Sequence, residues 1–303
     1  MNIPMPTAGA VRLTHLGVIR ARGNDATSFL QGQLTSDVAG LGPDEARLAG
    51  FCSAKGRLQA TFIVWKAADA ILLACAADLL APTLKRLSMF VLRAQCKLSD
   101  ASAEVGLSGV IGEAAVALMA DAKPWRTRDA EGRLLIRLPD AAGTARGLVA
   151  SSGDTSIDAT AASISLDHWR WLEVQSAIPT IEAATVDRFV PQMLNFELVG
   201  GVDFQKGCYP GQEVVARSQY RGTIKRRMFL FDADVPMRPG TEVFHAGDPG
   251  QPAGMVVNAA PHPDTGWSAL VEAKIAAREG GALHLGSPEG PMLRPAELPY
   301  PLP

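Results

Sequence analysis

The C-terminal stretch from residue 223 to residue 303 alternates short apolar runs with glycine and proline, and this pattern constrains the fold most strongly. Five runs in it have the length and composition of β-strands: 226–231, 241–245, 254–259, 268–274 and 282–285. Short strands separated by such turns at nearly regular spacing are typical of a small barrel or a sandwich. We therefore predict an all-β domain over residues 223–303, with the domain boundary between residues 221 and 225.

The preceding part of the chain mixes strand-like and helix-like patterns. Residues 46–53 and 57–66 flank a glycine-centred turn, which predicts a hairpin, and residues 71–75 predict a third strand. Leu80, Leu84, Leu87 and Val91 have the spacing of an amphipathic helix. Together these elements predict a compact α+β unit over residues 46–102. Further strands are predicted over residues 105–111, 134–138 and 148–151, and an extended run over residues 11–22. Further helices are predicted over residues 26–33, 113–120 (with Val116 and Met119 facing the core) and 166–176.

Charge and hydropathy exclude several classes of protein. The formal net charge of −2 gives no basic footprint for nucleic acid. The N-terminus has neither the charged region nor the apolar run of a signal peptide. The longest apolar stretch, 67–80, is interrupted by Asp69 and Asp78 and is too short to span a membrane. We expect a cytoplasmic, monomeric protein that binds neither membrane nor, directly, nucleic acid.

The cysteines do not have the spacing of a metal site. Cys52, Cys75, Cys96 and Cys208 are scattered, without a Cys-x-x-Cys pair or a histidine at ligand spacing. In a reducing compartment we expect all four to be thiols. Cys52 and Cys75 lie in apolar runs and are predicted to be core residues.

One short segment concentrates reactive side chains. Residues 206–213 read K-G-C-Y-P-G-Q-E, so Cys208 lies between two glycines with Lys206 before it. A nearby cation or a helix N-terminus favours the thiolate, which is the nucleophilic and metal-ligating form. The segment is equally consistent with a tight turn that holds a small residue. His168 could complete a cysteine hydrolase only if folding brought it close.

Three polar residues follow the cysteine on a predicted helix over residues 211–218. Glu213 and Arg217 are four residues apart, which favours a local ion pair over direct contact with a ligand. Gln212 could cap the turn.

The predicted helix over residues 166–176 carries the side chains that could hold a flat ligand. Trp169 and Trp171 are expected mainly in the core, although a heteroaromatic ligand would stack on such a ring. Gln175 lies one turn from Trp171 and could pair with a ligand's donors and acceptors. No phosphate-binding loop opens a helix, so nucleotide binding of that kind is not indicated.

These motifs together resemble one known family. The run from Lys206 to Arg217 is similar to the K-G-C-Y-x-G-Q-E signature of the YgfZ family of folate-binding proteins, which belongs to the superfamily of the glycine-cleavage T-protein, a tetrahydrofolate-dependent aminomethyltransferase. Further matching segments are Q-G-Q-L-T-S-D at 31–37, S-A-K-G-R at 53–57 and F-V-P-Q at 189–192 with Asn195. The resemblance covers nearly the whole chain.

The resemblance implies a fold and a set of site residues. The fold would be a three-domain α+β ring with ferredoxin-like α+β domains and a C-terminal antiparallel β-barrel. Residues 1–45 and 103–222 would form a discontinuous folate-binding domain, and 46–102 an inserted one. Trp169 and Gln175 would contact tetrahydrofolate or a derivative. Cys208, with Lys206, Gln212, Glu213 and Arg217, would be the functional thiol, which could transiently ligate an iron–sulfur cluster, and no resident metal is expected.

This sequence departs from the family's pattern at three places. Leu16 stands where the bacterial pattern has a second folate-contacting tryptophan. The superfamily's pterin-reading glutamate falls on Gln175, which cannot offer a carboxylate to two donors. Residues 59–64 lack the aspartate that the aminomethyltransferases carry after the hairpin turn, so no group there can deprotonate a reacting amine.

The sequence therefore favours a folate-binding accessory protein over an enzyme. The family implies a factor that supports assembly or repair of iron–sulfur enzymes, including tRNA-modifying ones, with client enzymes or assembly factors as partners. The alternatives are a tetrahydrofolate-dependent aminomethyltransferase or demethylase and a scaffold that does not bind folate.

Overall fold

The computed structural model describes residues 8–119, 122–130, 132–153, 162–220 and 222–303. Within them the strands are β1 Gly9–Arg12, β2 Leu16–Arg22, β3 Ala46–Cys52, β4 Leu58–Ala67, β5 Ala70–Ala76, β6 Lys97–Asp100, β7 Val105–Ile111, β8 Thr127–Ala130, β9 Arg133–Ala141, β10 Thr144–Ser152, β11 Arg226–Ala233, β12 Glu242–His245, β13 Asp248–Pro261, β14 Trp267–Lys274, β15 Leu283–Leu285 and β16 Met292–Ala296. The helices are α1 Ala26–Gln31, α2 Ala77–Ser88, α3 Glu113–Met119, α4 Leu166–Gln175, α5 Gln212–Tyr220 and α6 Ile275–Gly280.

The C-terminal strands close into an antiparallel barrel in the order β11-β14-β13-β12-β15-β16, and β16 returns to pair with β11. This confirms the predicted barrel. The five predicted strands are present, but the sequence did not indicate β16. This strand contains Arg294, which is charged, and Pro295, which has no backbone N–H to donate within a sheet. Both residues weaken the sequence pattern that would indicate a strand.

The first large sheet has the order β3-β4-β5-β2-β6, with α2 packed against β2, β5 and β6. The predicted hairpin is β3–β4. The predicted extended run 11–22 is wrong as one strand, because a turn after Leu13 divides it into β1 and β2. The Leu16 N–H donates to the Leu13 carbonyl across this turn, 3.2 Å away.

The second sheet has the order β1-β7-β10-β9-β8 and is antiparallel in all of its pairs. Helix α3 packs against it. The prediction that Val116 faces the core is wrong, because its side chain is 53% exposed. Met119 is buried as predicted, and Ala115 is buried in place of Val116, because residues four apart share one face of a helix.

Helix α4 joins the second sheet to the barrel. Its N-terminus is capped by Ser165, whose Oγ accepts from the His168 N–H. The Trp171 indole N–H donates to Ser268 Oγ of β14 over 3.2 Å. One continuous apolar core contains residues of both sheets, α4 and the barrel, so α4 is held rigidly between them.

The predicted domain boundaries at 45/46, 102/103 and 222/223 stay predictions. The sheet does not follow the boundary at 45/46, because β2, which lies before that boundary, pairs with β5 and β6, which lie after it. Across the described residues, no helix combines the length and apolar character needed to cross a membrane.

Candidate functional site

The thiol of Cys208 lies on the surface just ahead of α5. All four cysteines lie in the described residues, and Cys208 alone is exposed. Cys52 and Cys75 are buried as predicted, and burial raises the pKa of each thiol to about 12. Cys208 is therefore the thiol that a partner or reagent in solution reaches most easily.

Lys206 fastens the cysteine loop to the end of α1. Its Nζ donates to the carbonyl oxygens of Gln31 and Leu34, the latter at 2.6 Å. The side chain is buried, and the ammonium lies 5.1 Å from the centre of the Tyr209 ring. The lysine of the cysteine motif thus binds directly to the Q-G-Q segment, which the sequence had shown only as a separate match.

Thr35 makes a second connection between these segments. Its Oγ accepts from the Gly50 N–H over 2.7 Å and donates to the Gly201 carbonyl over 2.5 Å. Its backbone carbonyl accepts from the Asp203 N–H. Because Thr35 is fully buried, these bonds are protected from water and fix the start of the cysteine loop against β3.

The hairpin turn between β3 and β4 supports the loop from the other side. Gly211 has φ +80° and Gly56 has φ +70°. A Cβ on Gly211 would lie 2.6 Å from backbone atoms of Gly56 and would clash with the Ser53 carbonyl oxygen. Only glycine allows this approach of the two backbones. Three separate sequence segments therefore meet around Cys208.

The polar residues after the cysteine remain available to solvent. Glu213 and Arg217 are exposed, and the structure forms no ion pair between these two described residues, so the predicted local pair is wrong. The Gln212 side chain is half-buried and makes no hydrogen bond with the described residues. Nor do three or more His, Cys, Asp or Glu side chains of the described chain cluster as metal ligands.

A second candidate site lies inside the molecule, where two cavities adjoin. The inner chamber has a volume of about 60 Å³ and the outer mouth about 270 Å³. Glu173, Ile178 and Thr180 line both. We use the name inner chamber for the cavity that Leu16, Phe62, Trp125, Arg146 and Glu173 also line, and outer mouth for the one that His15, Asp78, Arg170 and Asn258 line.

Glu173 is held at the junction by two neighbours. The Trp169 indole N–H donates to Oε1 over 2.8 Å, and His15 Nε2 lies 3.1 and 3.0 Å from the two carboxylate oxygens. Glu173 lies deep in the molecule, yet its side chain keeps 31% exposure because it faces the cavities. Burial by itself would raise its pKa. The charge and hydrogen bond of His15, the hydrogen bond from Trp169 and the charge of Arg146 together lower the pKa below its usual value.

Arg146 is the other charged group of the inner chamber and is 2% exposed. Its Nε donates to the Pro139 carbonyl over 3.1 Å, and its guanidinium lies 5.7 Å from the centre of the Trp169 ring. Burial lowers the pKa of Arg146 to about 10, although Glu173 and Asp140 oppose this shift. The group therefore stays charged at neutral pH.

Trp125 separates the inner chamber from a wide surface cleft of about 750 Å³ and lines both. It has φ +69°, an uncommon conformation for a bulky residue. Its backbone N–H donates to Arg137 and its carbonyl accepts from Ala46, so contacts with both sheets hold it there. Phe204 and Asp203, close to the cysteine loop, line the same cleft.

Comparison with known proteins identifies relatives over most of the chain. No family model matches it. The tRNA-modifying protein YgfZ of Vibrio vulnificus (strain CMCP6) is 32% identical over 249 residues, which cover 79% of this chain and 75% of that protein. The chain belongs to the YgfZ family. The YgfZ protein of Edwardsiella ictaluri is 30% identical over 70% of this chain and 67% of its own.

The fold has a solved counterpart outside the YgfZ family. The glycine cleavage system aminomethyltransferase T of Bartonella henselae superposes with a TM-score of 0.75 over 96% of this chain and 85% of its own, at 16% identity. The predicted fold class is confirmed as aminomethyltransferase-like, with the closed six-stranded barrel at the C-terminus.

The residues that the YgfZ resemblance assigned to the ligand differ in whether they line the two cavities. Trp169 is fully buried and lines neither cavity, but its N–H positions Glu173, which lines both. Gln175 is half-buried and also lines neither. Leu16, at the position of the missing tryptophan, does line the inner chamber.

The sequence did not indicate His15, Glu173, Arg146 or Trp125 as site residues. His15 lies in the turn between β1 and β2, and Arg146 is the third residue of β10, so only the tertiary fold brings them near α4. A buried arginine on a strand gives no motif at any spacing. Glu173 did have one usable signal, since it lies one helical turn after Trp169 on the same helix.

Lys206 gives this YgfZ member a testable pH dependence. Burial lowers its pKa from 10.5 to about 8, against the opposing charges of Asp37, Asp203 and Cys208. Between pH 8 and 10.5 the unfolded chain binds more protons at this residue than the folded chain, so the free energy of unfolding should rise with pH there. We expect the wild type to gain of the order of 1–3 kcal/mol over Lys206→Gln across this range.

Urea denaturation of both proteins at several pH values measures this difference, and comparison with the variant removes the titration of other groups. A difference in unfolding free energy that is constant from pH 7.5 to 10.5 would contradict the assignment.

Proposed function

We propose that this protein is a cytoplasmic, tetrahydrofolate-binding accessory factor that supports assembly or repair of iron–sulfur enzymes, including tRNA-modifying ones. The observation that carries the proposal is that three sequence segments meet around one exposed thiol, Cys208. The chain that holds this thiol has the aminomethyltransferase-like fold. The relatives in Vibrio vulnificus and Edwardsiella ictaluri are tRNA-modifying proteins, which supports the choice of clients.

The lining of the inner chamber and the outer mouth suits a flat ligand with polar edges, such as a reduced folate. Apolar side chains, among them Leu16 and Phe62, line the inner chamber, while Glu173 and Arg146 supply opposite charges within it. A pocket with apolar walls and few fixed polar groups is typical of a cofactor site.

The thiol loop supports a role in contact with clients rather than in a buried catalytic dyad. Cys208 is exposed, and no histidine is hydrogen-bonded to it among the described residues. Its anchor, Lys206, is tied to backbone carbonyls and so fixes the loop's position. A surface thiolate of this kind could ligate a cluster during transfer or exchange with a disulfide of a client.

The test is complementation of a bacterial strain that lacks its own YgfZ protein. Under oxidative stress, this chain should restore the activity of iron–sulfur enzymes and the content of thiolated tRNA to near the parental level. The activities of enzymes without clusters, measured in the same extracts, provide the control. An unchanged deficit, with the protein expressed and soluble, would refute the proposal.

One observation favours a second candidate, a tetrahydrofolate-dependent aminomethyltransferase or demethylase. Strand β4 presents Thr61, Phe62 and Ile63 to the inner chamber and no acid, but His15 paired with Glu173 could act as a general base at the junction. Transfer of the one-carbon unit to tetrahydrofolate from an aminomethyl donor, or release of formaldehyde from an N-methyl donor in the presence of an added two-electron acceptor, would favour this candidate. A scaffold without folate, the third possibility, requires that no folate form binds.

A further inference from the structure

The loop between α2 and β6 exposes a cluster of large apolar side chains. Three of the eight large apolar residues that the described chain leaves exposed lie in it: Met89 at 68%, Phe90 at 42% and Leu92 at 89%. Single exposed apolar residues are ordinary, but a cluster of them marks a contact surface. We use the name apolar tip for residues 89–92.

The end of α2 determines which side chains the apolar tip exposes. Leu87 is buried and Val91 packs against the same apolar core, so both continue the inward face of the helix. The Val91 carbonyl then accepts from the Ala94 N–H over 2.8 Å, which closes a tight turn around Leu92. Leu92 has φ +44°, an uncommon conformation for a bulky residue. The turn therefore places a large apolar side chain at its most exposed point.

Contacts on the return side of the loop hold the apolar tip in this position. The Gln95 N–H donates to Asp25 Oδ2 over 2.7 Å, and the Gln95 carbonyl accepts from the Asp25 N–H over 3.1 Å. Asn24 Nδ2 donates to Gln95 Oε1 over 3.2 Å. A Cβ on Gly23 would lie 2.1 Å from the Gln95 carbonyl oxygen, so the two backbones approach closely. The loop is pinned to the start of α1 with its apolar side chains facing outward.

Positive charge surrounds the apolar tip. Four exposed cations lie within eight residues of it, on the last turns of α2, in the loop and at the start of β6: Lys85, Arg86, Arg93 and Lys97. None of the four forms an ion pair with a described residue. The acids of this region are Asp25, which contacts Gln95, and Asp100, at the far end of β6. The surface here is therefore locally cationic although the whole chain carries −2.

The combination of a convex apolar tip with flanking cations favours a lipid surface over a protein as its partner. Met89, Phe90 and Leu92 carry no strong hydrogen-bonding group, so they offer no directional contact that would select one protein surface. A bilayer interface accepts apolar side chains without a matching shape, and anionic head groups attract the cations beside them. Because salt screens charge beyond about 8 Å, local rather than net charge determines this attraction.

We propose that the apolar tip inserts into the interface of an anionic bilayer while the four flanking cations bind lipid phosphates, so that the protein attaches peripherally and reversibly. Contact of this kind needs no spanning helix. The inference does not rest on the proposed function. It differs from the expectation that the protein avoids membranes, because that expectation was drawn from whole-chain charge and from the search for a spanning segment.

Cosedimentation of the full chain with vesicles tests the inference. One set of vesicles is phosphatidylcholine alone, and the other contains about 30% phosphatidylglycerol. At a salt concentration of about 0.05 M we expect the wild type to bind the anionic vesicles at least tenfold more strongly. Raising the salt to about 0.5 M should remove most of that preference.

Two variants separate the apolar contribution from the charged one. Leu92→Gly should weaken binding to the anionic vesicles at least tenfold, since it removes the most exposed apolar side chain. Glycine adopts positive φ without strain, so this variant should remain folded. Arg86→Gln combined with Arg93→Gln should weaken binding by about fivefold for each charge removed.

Met292→Ser is the matched control, because Met292 is 57% exposed but lies on the barrel strand β16. It should bind like the wild type, and thermal denaturation checks the folding of every variant. A wild type that binds neither kind of vesicle, or both equally, would overturn the inference and leave the apolar tip as a surface for a protein. A folded Leu92→Gly variant that binds as tightly as the wild type would overturn it as well.

Discussion

Replacement of Cys208 by serine is expected to abolish the proposed support of iron–sulfur enzymes while leaving the protein's stability unchanged. The side chain is exposed, so the substitution should alter the free energy of unfolding by no more than about 0.5 kcal/mol. A serine hydroxyl neither ionises near neutral pH nor ligates iron as a thiolate does. Complementation by Cys208→Ser under oxidative stress should therefore match the empty vector.

Cys96→Ser is the matched control for this experiment. Cys96 is a half-buried free thiol far from the cysteine motif in sequence, and it lies between α2 and β6. Its variant should complement like the wild type. Normal activity of iron–sulfur enzymes with Cys208→Ser, at equal protein levels, would remove the thiol from the function that we propose.

Substitution of Gly211 by alanine is expected to have the largest effect on the structure of the site. The new Cβ would lie 2.6 Å from Gly56 backbone atoms, at a residue with φ +80°. Both backbones belong to tight turns and cannot separate without breaking the contact that holds the cysteine loop. We expect a loss of about 2–4 kcal/mol in unfolding free energy, because strain at a left-handed position adds to a steric clash.

Gly207→Ala provides the control on the other side of the cysteine. A Cβ there meets no atom within 4 Å, and the residue does not require positive φ. Chemical denaturation should show Gly207→Ala within about 0.5 kcal/mol of the wild type. Equal stability of the two glycine variants would contradict the close packing of the hairpin turn on the loop.

The secondary structure of the barrel and of the first hairpin could be predicted because the relevant signals are local. The turn at Gly56 and the apolar runs beside it determine β3 and β4, and the spacing of Leu80, Leu84 and Leu87 determines most of α2. The division of residues 11–22 was missed because no glycine or proline marks the turn after Leu13. That turn exists because β1 and β2 pair with different sheets, a choice that is made by tertiary contacts.

The sequence identifies the residues of the thiol site but does not predict how the fold arranges them. Cys208 could be found from its motif, but the contact of Lys206 with the carbonyls of Gln31 and Leu34 joins segments more than 170 residues apart. The inner chamber was less accessible to sequence reasoning. Arg146 lies on a strand and His15 in a turn, and neither belongs to a sequence motif. Only the folded chain shows that both residues line the cavities.

Calorimetric titration of the purified protein with tetrahydrofolate, followed by analysis of the recovered ligand, tests the central claim most directly. We predict saturable binding at one site per chain and recovery of the folate chemically unchanged in the presence of an aminomethyl donor. Absence of binding heat at high protein concentration, or conversion of the folate to a methylene derivative, would contradict a folate-binding accessory factor.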